Sequence, residues 1–249
     1  AEKQAEFDAR FDNLKMYLSK DIVKEGNQIL RNTSSKVNTP LSSEDLECLK
    51  GLYEYMLVSE NDTLVEQYGI RPGVGIAAPQ VGVNKRMFAV NFVDFLDEKE
   101  TKYLWTVINP EITAKSEEMV YLPGGEGCLS VERPTTGLVT PRHYAITVKF
   151  QTYDFMTKKI KTVKKTLEGY PAIVFQHEYD HLDGILYTDK MYNIEDLEDI
   201  YPIAVDYKED ENGNKIVDNW NERYLIPAML KLIQEQNERI KTLEEKVVS

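Results

Sequence analysis

Two histidines four residues apart, with a glutamate directly after the first, form the segment of this chain richest in potential chemistry: His177-Glu178-Tyr179-Asp180-His181. On an α-helix, residues i and i+4 lie one above the other, so both imidazoles can reach one metal ion while Glu178 stays close enough to carry a proton. Ile173 falls one turn earlier on the face of His177, and Val174 and Leu182 flank Glu178, so this helix is apolar around much of its circumference. Such a helix is buried, and a polar triad inside it is costly unless it is used. The chemistry it suits is metal-assisted hydrolysis. That requires three protein ligands on the metal and a fourth position for a water whose pKa the cation lowers, with a carboxylate to take the proton.

The identity of the third ligand is not fixed by spacing. Continuing the motif as HExxHxxGxxH finds Gly184 in place but Tyr187 where the last histidine would stand, which disfavours that class of zinc protease. Glu195 and Glu198 lie downstream in an acidic run suited to water. Cys128, in Glu126-Gly127-Cys128-Leu129-Ser130, is a third candidate, although a lone cysteine is more often a small buried hydrophobe. The remaining histidine, His143, reads as a surface or packing residue. The segment GVGIAAPQ at 73–80 superficially fits a dinucleotide fingerprint through Gly73, Gly75 and Ala78. That fingerprint needs a strand before it and a helix after it, and Pro72 and Pro79 stand in those places.

Taken together and in order, GVGIAAPQ (73–80), EGCLS (126–130) and QHEYDHLDG (176–184) resemble the three signature motifs of the peptide deformylase family. The similarity runs from about Val23, through KEGNQILR, to about Met191. The segment VERPTTG and the extra length around 59–72 and 92–104 resemble the longer subclass found in Gram-positive and related bacteria. The resemblance implies one divalent metal ion on Cys128, His177 and His181, with ferrous iron as the native ion and nickel, cobalt or zinc able to replace it. It implies a hydroxide on that ion attacking the formyl carbonyl, with Glu178 taking the water proton and passing it to the departing amine. The Gln80 side-chain amide and the Leu129 N–H would receive the oxyanion. Gly73, Val74, Gly75 and Gly127 would contact an extended peptide whose methionine enters an apolar pocket. Glu126 and Arg142 would form a supporting ion pair behind the site. The implied substrates are N-formylmethionyl peptides and nascent chains, with formate as product and the ribosome as a further partner. The residues alone also suit a zinc endopeptidase, or an interaction module holding a structural ion.

The elements that must position these groups are partly legible. The apolar residues Phe7, Phe11, Leu14 and Leu18 predict a helix from residue 1 to about 20. LSSEDLECLKGLYEYMLVSE predicts a second, capped by Ser42 or Ser43, and residues 69–82 are too rich in Gly and Pro for a regular element. Strands are expected over RMFAVNFV and around 104–109, 144–153 and 159–167, and a helix from near Pro171 to near Gly184. Beyond 192 the character changes: residues 193–221 hold nine acids against two bases, with Asn212-Gly213 marking a hairpin turn. A narrow apolar stripe on Met229, Ile233, Ile240, Leu243 and Val247 predicts a closing long helix. The expected fold is α+β: antiparallel sheets around a buried HExxH helix, a catalytic domain over 1–192, and an extension over 193–249 made of an acidic hairpin and an amphipathic helix.

Composition excludes several classes. A net charge of −12 argues against a phosphate-binding face, and hence against direct DNA binding. No run is apolar enough for a membrane span, and AEKQAEFDARFDNLK lacks a secretory signal, so a cytoplasmic protein is expected. Two cysteines in unlike contexts do not suggest a disulfide framework.

Overall fold

A computed structural model describes residues 16–94, 99–193, 205–209 and 215–220. The centre of the molecule is a five-stranded antiparallel sheet in the order β1-β2-β3-β7-β8. Its strands are β1 (Gly75–Ala77), β2 (Met87–Asp94), β3 (Thr101–Lys115), β7 (Ala145–Asp154) and β8 (Lys159–Glu168). The short strands β4 (Met119–Val120) and β6 (Arg142–His143) pair with each other, as do β5 (Leu138–Val139) and β9 (Tyr192–Asn193). Three α-helices complete the described part: α1 (Ser43–Ser59), α2 (Asp62–Tyr68) and α3 (Tyr170–Leu182).

RMFAVNFV is almost continuously apolar because β2 is covered on both faces. Met87 and Ala89 join α1 in one core, with Leu49, Leu52, Tyr55 and Met56 fully buried. Phe88, Val90 and Phe92 point the other way, into a second core with Ala172, Val174 and Phe175 of α3. The sheet therefore separates two apolar cores, each buried large side chain contributing about 1.5–3 kcal/mol. Ser42 caps α1 through its hydroxyl, which accepts from the Asp45 N–H at 3.0 Å, and Asn61 caps α2 in the same way.

Helix α3 carries His177, Glu178 and His181 and matches the expected span. It starts beside Pro171, suited to a first turn, and the chain leaves it through Gly184 at φ +74°. A Cβ on Gly184 would also lie 2.5 Å from the Arg31 carbonyl oxygen, so two independent constraints demand glycine there. Gly184→Ala is accordingly expected to cost about 1–3 kcal/mol, read as a lowered melting temperature, with the disturbance falling at the end of the site helix.

Three expectations are corrected. The Gly- and Pro-rich segment 69–82, expected to hold no regular element, contains strand β1 at Gly75–Ala77, which pairs antiparallel with Phe88–Val90 of β2, and a 3-10 turn over Ala78–Val81 with Pro79 inside it. Of the helix foreseen from residue 1 to about 20, residues 16–18 are non-helical and Ser19–Asp21 make a single 3-10 turn. Local bonds explain this: the Leu18 N–H donates to the Asp21 carboxylate, and the Ser19 hydroxyl donates to the Gly69 carbonyl. Residues 1–15, with Phe7, Phe11 and Leu14, lie outside the described residues. Strand β3 also runs well past 109, because it crosses Pro110 by an irregularity in its pairing with β7. Asn109 turns the chain there at φ +49°, its side chain donating to and accepting from Val37.

Strands β10 (Val205–Glu209) and β11 (Lys215–Trp220) pair antiparallel, in line with the expected hairpin. Its turn and the helix expected from residue 222 lie outside the described residues. No helix among the described residues is long and apolar enough to cross a membrane.

Candidate metal centre

Cys128 Sγ and one ring nitrogen from each of His177 and His181 lie within 4.8 Å of one another, although about fifty residues separate the cysteine from the helix. Cys128 is 4% exposed and His181 1%, and His181 Nε2 sits 3.4 Å from the sulfur. Burial opposes ionisation of the Cys128 thiol, but the imidazoles of His181 and His177 outweigh it and hold the thiol well below its ordinary value.

Behind His177 lies a buried chain of charges. His177 Nδ1 is 2.7 Å from Glu126 Oε2. Arg142 grips the same carboxylate through Nε at 2.7 Å and Nη2 at 2.8 Å, and donates from Nη1 to Asp180 at 2.5 Å. Lys190 then caps Asp180 from the surface side. Burial works against ionised Glu126, yet Arg142 and His177 hold it at about 2. A carboxylate with that pKa only accepts, so Nδ1 of His177 carries the proton and Nε2 keeps its lone pair available to a cation.

Gln80 closes the other side. Its Oε1 accepts from the Ala77 N–H at 2.9 Å, which fixes the amide orientation. Its Nε2 therefore faces the centre, 3.3 Å from Cys128 Sγ and 3.2 Å from Ser130 Oγ. Glu178 is 3% exposed, and its Oε2 has no hydrogen-bond partner among the described residues. Burial pushes its carboxyl up to about 7, the two imidazoles offsetting only part of the effect. Gly75 is needed at this point, because a Cβ there would collide with Glu178 Oε1.

These donors fit a divalent cation. A depressed thiol and two imidazoles converge, one imidazole is oriented by a buried carboxylate, and a buried carboxyl oxygen beside them lacks a partner among the described residues. Such a set suits iron, zinc, cobalt or nickel rather than a hard oxygen-seeking ion.

A cleft of about 270 Å³ opens onto the centre. Of the residues expected at the site, Gly73, Val74, Gly75, Gln80, Glu126, Gly127, Cys128, Leu129, His177 and Glu178 line it. His181 and Arg142 stand behind the wall. The Glu126–Arg142 pair is not a surface pair, since the two side chains are 3% and 2% exposed. Glu195 and Glu198 lie outside the described residues, and Tyr187 stacks against His177 with ring centroids 5.7 Å apart. His143 is a packing residue in β6, with Nδ1 against the Ser116 carbonyl at 2.7 Å.

Sequence reasoning missed several contributors. Tyr170 also lines the cleft, and helical spacing back from His177 and Ile173 could have found it. Asp180, inside the motif itself, turns away from the centre to hold Arg142. Arg71 lines the cleft from the residue before Pro72, with no local signal to mark it.

A family model described as polypeptide deformylase matches residues 19–196. The chain is 47% identical over 176 residues to the peptide deformylase of Halalkalibacterium halodurans, covering 71% of this chain and 92% of that protein. It is 45% identical over 174 residues to peptide deformylase 2 of Bacillus cereus, covering 70% and 90%. Among solved structures, it superposes with a TM-score of 0.52 on a class I type b peptide deformylase from Acinetobacter baumannii bound to Met-Ala-Ser. That pair is 30% identical, covering 68% of this chain and 96% of the other. A probable peptide deformylase from a Synechococcus phage aligns at a TM-score of 0.50 and 37% identity, covering 68% and 97%.

Proposed function

The chain belongs to the polypeptide deformylase family and is a hydrolase acting on N-formylmethionyl peptides, and we propose that Cys128, His177 and His181 hold its metal ion while Glu178 moves the proton. The observation that carries this reading is the convergence of those three donors within 4.8 Å, beside a buried glutamate with an unpartnered oxygen.

A divalent cation on Cys128 Sγ and the Nε2 atoms of the two histidines would supply Lewis-acid chemistry, lowering the pKa of water and polarising the formyl carbonyl. We read ferrous iron as the native ion, with nickel, cobalt or zinc able to take its place on these ligands. Glu178, with a carboxyl near 7, suits a group that accepts a proton from the attacking water and returns it to the departing amine. The Gln80 Nε2 amide and the Leu129 N–H, both on residues that line the cleft, would donate to the oxygen on which charge develops. Gly73, Val74, Gly75 and Gly127 leave room for an extended peptide along the cleft, with Ile173, Val174 and Tyr170 supplying an apolar wall for the methionine side chain. Glu126 and Arg142 hold His177 in its tautomer.

Gln80→Leu keeps the size of the side chain and removes the donor. It is expected to lower kcat by roughly a hundredfold to a thousandfold with metal content retained, checked by formate release and metal analysis on the same preparation.

We assign catalysis to residues 1–192 and read 193–249 as an appended extension. Nascent chains are met at the ribosome, in the cytoplasm. The net charge of −12 gives no basis for binding through phosphate backbones, so that encounter rests on the substrate. Formate release from formyl-Met-Ala-Ser, set beside the fate of unformylated Met-Ala-Ser, tests the reading. Turnover of the formylated peptide alone supports it, and cleavage inside the unformylated one would replace it with an endopeptidase.

A further inference from the structure

We propose that Arg71 is a positioning residue for the oxyanion site: by holding the Cys128 carbonyl, its guanidinium fixes the direction of the Leu129 N–H through the peptide plane the two groups share. The inference rests on reading that N–H as an oxyanion donor.

In a trans peptide the C=O of one residue and the N–H of the next are coplanar and point in opposite directions. Whatever grips the Cys128 oxygen therefore aims the Leu129 hydrogen. Arg71 Nη1 donates to that oxygen at 3.1 Å and to the Val131 oxygen at 3.3 Å, spanning the two ends of the turn. Within the turn, the Val131 N–H also donates to Cys128 O at 3.2 Å. The two carbonyls between are held from outside as well. Lys24 Nζ donates to Leu129 O at 3.2 Å, and the Glu25 N–H donates to Ser130 O at 2.8 Å.

All four carbonyls from Cys128 to Val131 thus have donors from other segments. With the oxygens held this way, the amide edge of the turn is directed toward the centre, where the Ser130 N–H sits 3.4 Å from Cys128 Sγ. Arg71 is itself anchored, since the fully buried Tyr55 donates its hydroxyl to the Arg71 carbonyl at 2.7 Å. A cation on a carbonyl also polarises the peptide and makes its N–H a stronger donor. Both bonds leave the single nitrogen Nη1, so a lysine ammonium of suitable reach could restore part of the grip.

The test uses the full chain carrying Arg71→Ala, Arg71→Gln or Arg71→Lys, assayed on formyl-Met-Ala and formyl-Met-Ala-Ser with rates expressed per bound metal. Losing an oxyanion donor outright costs a hundredfold or more, so loosening one should lower kcat roughly tenfold to a hundredfold while KM moves less than about twofold. Melting temperature is expected to hold, Arg71→Lys to recover part of the rate, and the Leu129 amide nitrogen resonance of the variants loaded with diamagnetic zinc to move. Arg71→Gln keeps length without charge and stands in if the alanine variant does not fold. Unchanged kcat with an unmoved Leu129 resonance overturns the proposal. So does a rise in KM confined to the longer peptide, which would make Arg71 a reader of substrate. A wild-type protein that releases no formate would instead sink the assigned mechanism, while the resonance would still report on Arg71.

Discussion

Glu178→Gln is expected to lower formate release by roughly a hundredfold to ten-thousandfold, the range for losing a general acid–base, while metal binding and melting temperature stay near the wild type. The substitution keeps shape and hydrogen-bonding capacity but removes the ionisable proton. Glu178 is 3% exposed and one carboxyl oxygen lacks a partner among the described residues, so neutralising it relieves a desolvation cost. The three proposed ligands are untouched, so metal content measured beside turnover separates this reading from a structural one. A variant that kept its rate would take the proton from Glu178 and leave the buried carboxyl unexplained. One that lost its metal would make Glu178 a support for the ligands instead.

Arg142→Ala is expected to cost about 3–5 kcal/mol, because removing one partner of a buried ion network leaves uncompensated charge behind. Two carboxylates would be stranded. The Glu126 side chain is 3% exposed and that of Asp180 11%, and Arg142 lies between them. Lys190 reaches Asp180 but not Glu126, so Glu126 suffers more. The loss should also spread to the centre, since Glu126 orients His177; weakening an outer partner of this kind typically lowers metal affinity tenfold to a hundredfold. Thermal melting and metal titration on one sample check both parts. Glu126→Gln on its own should weaken metal binding with a smaller stability loss, because Asp180 keeps its arginine. Metal affinity unchanged in Glu126→Gln would deny Glu126 the orienting role.

Much of this site was legible in the sequence because its chemistry is written in short spacings. Two histidines four apart on a helix state local geometry directly, whereas the Gly-rich segment between Pro72 and Pro79 hid the edge strand Gly75–Ala77, which is too short to show an alternation. The meeting of Cys128 with that helix was not fixed by spacing, because nothing local to EGCLS says which face of the fold it approaches. Resemblance to a family supplied that step, and the short Sγ to Nε2 distance agrees with it. Arg71 was invisible for a related reason: an arginine before a proline looks like any solvated loop residue until the carbonyls it holds are known. The sequence marks no role for Asp180, because spacing shows which face a residue takes and not what waits there. In the fold, β2 read correctly as a strand because both its faces are buried. β3 was cut short because Pro110 reads as a stop, whereas Asn109 bends the strand around it. The end of the expected N-terminal helix gave way to side-chain bonds at Asp21 and Ser19 that compete with helical ones.

X-ray absorption on anaerobically prepared, active protein tests the central claim most directly. The account predicts one sulfur and two imidazole nitrogens on a single ion, with the sulfur at about 2.3 Å and the nitrogens at about 2.0–2.1 Å in a zinc-loaded sample. A first shell of oxygen and nitrogen without sulfur would contradict it, because Cys128 would then stand beside the ion without holding it.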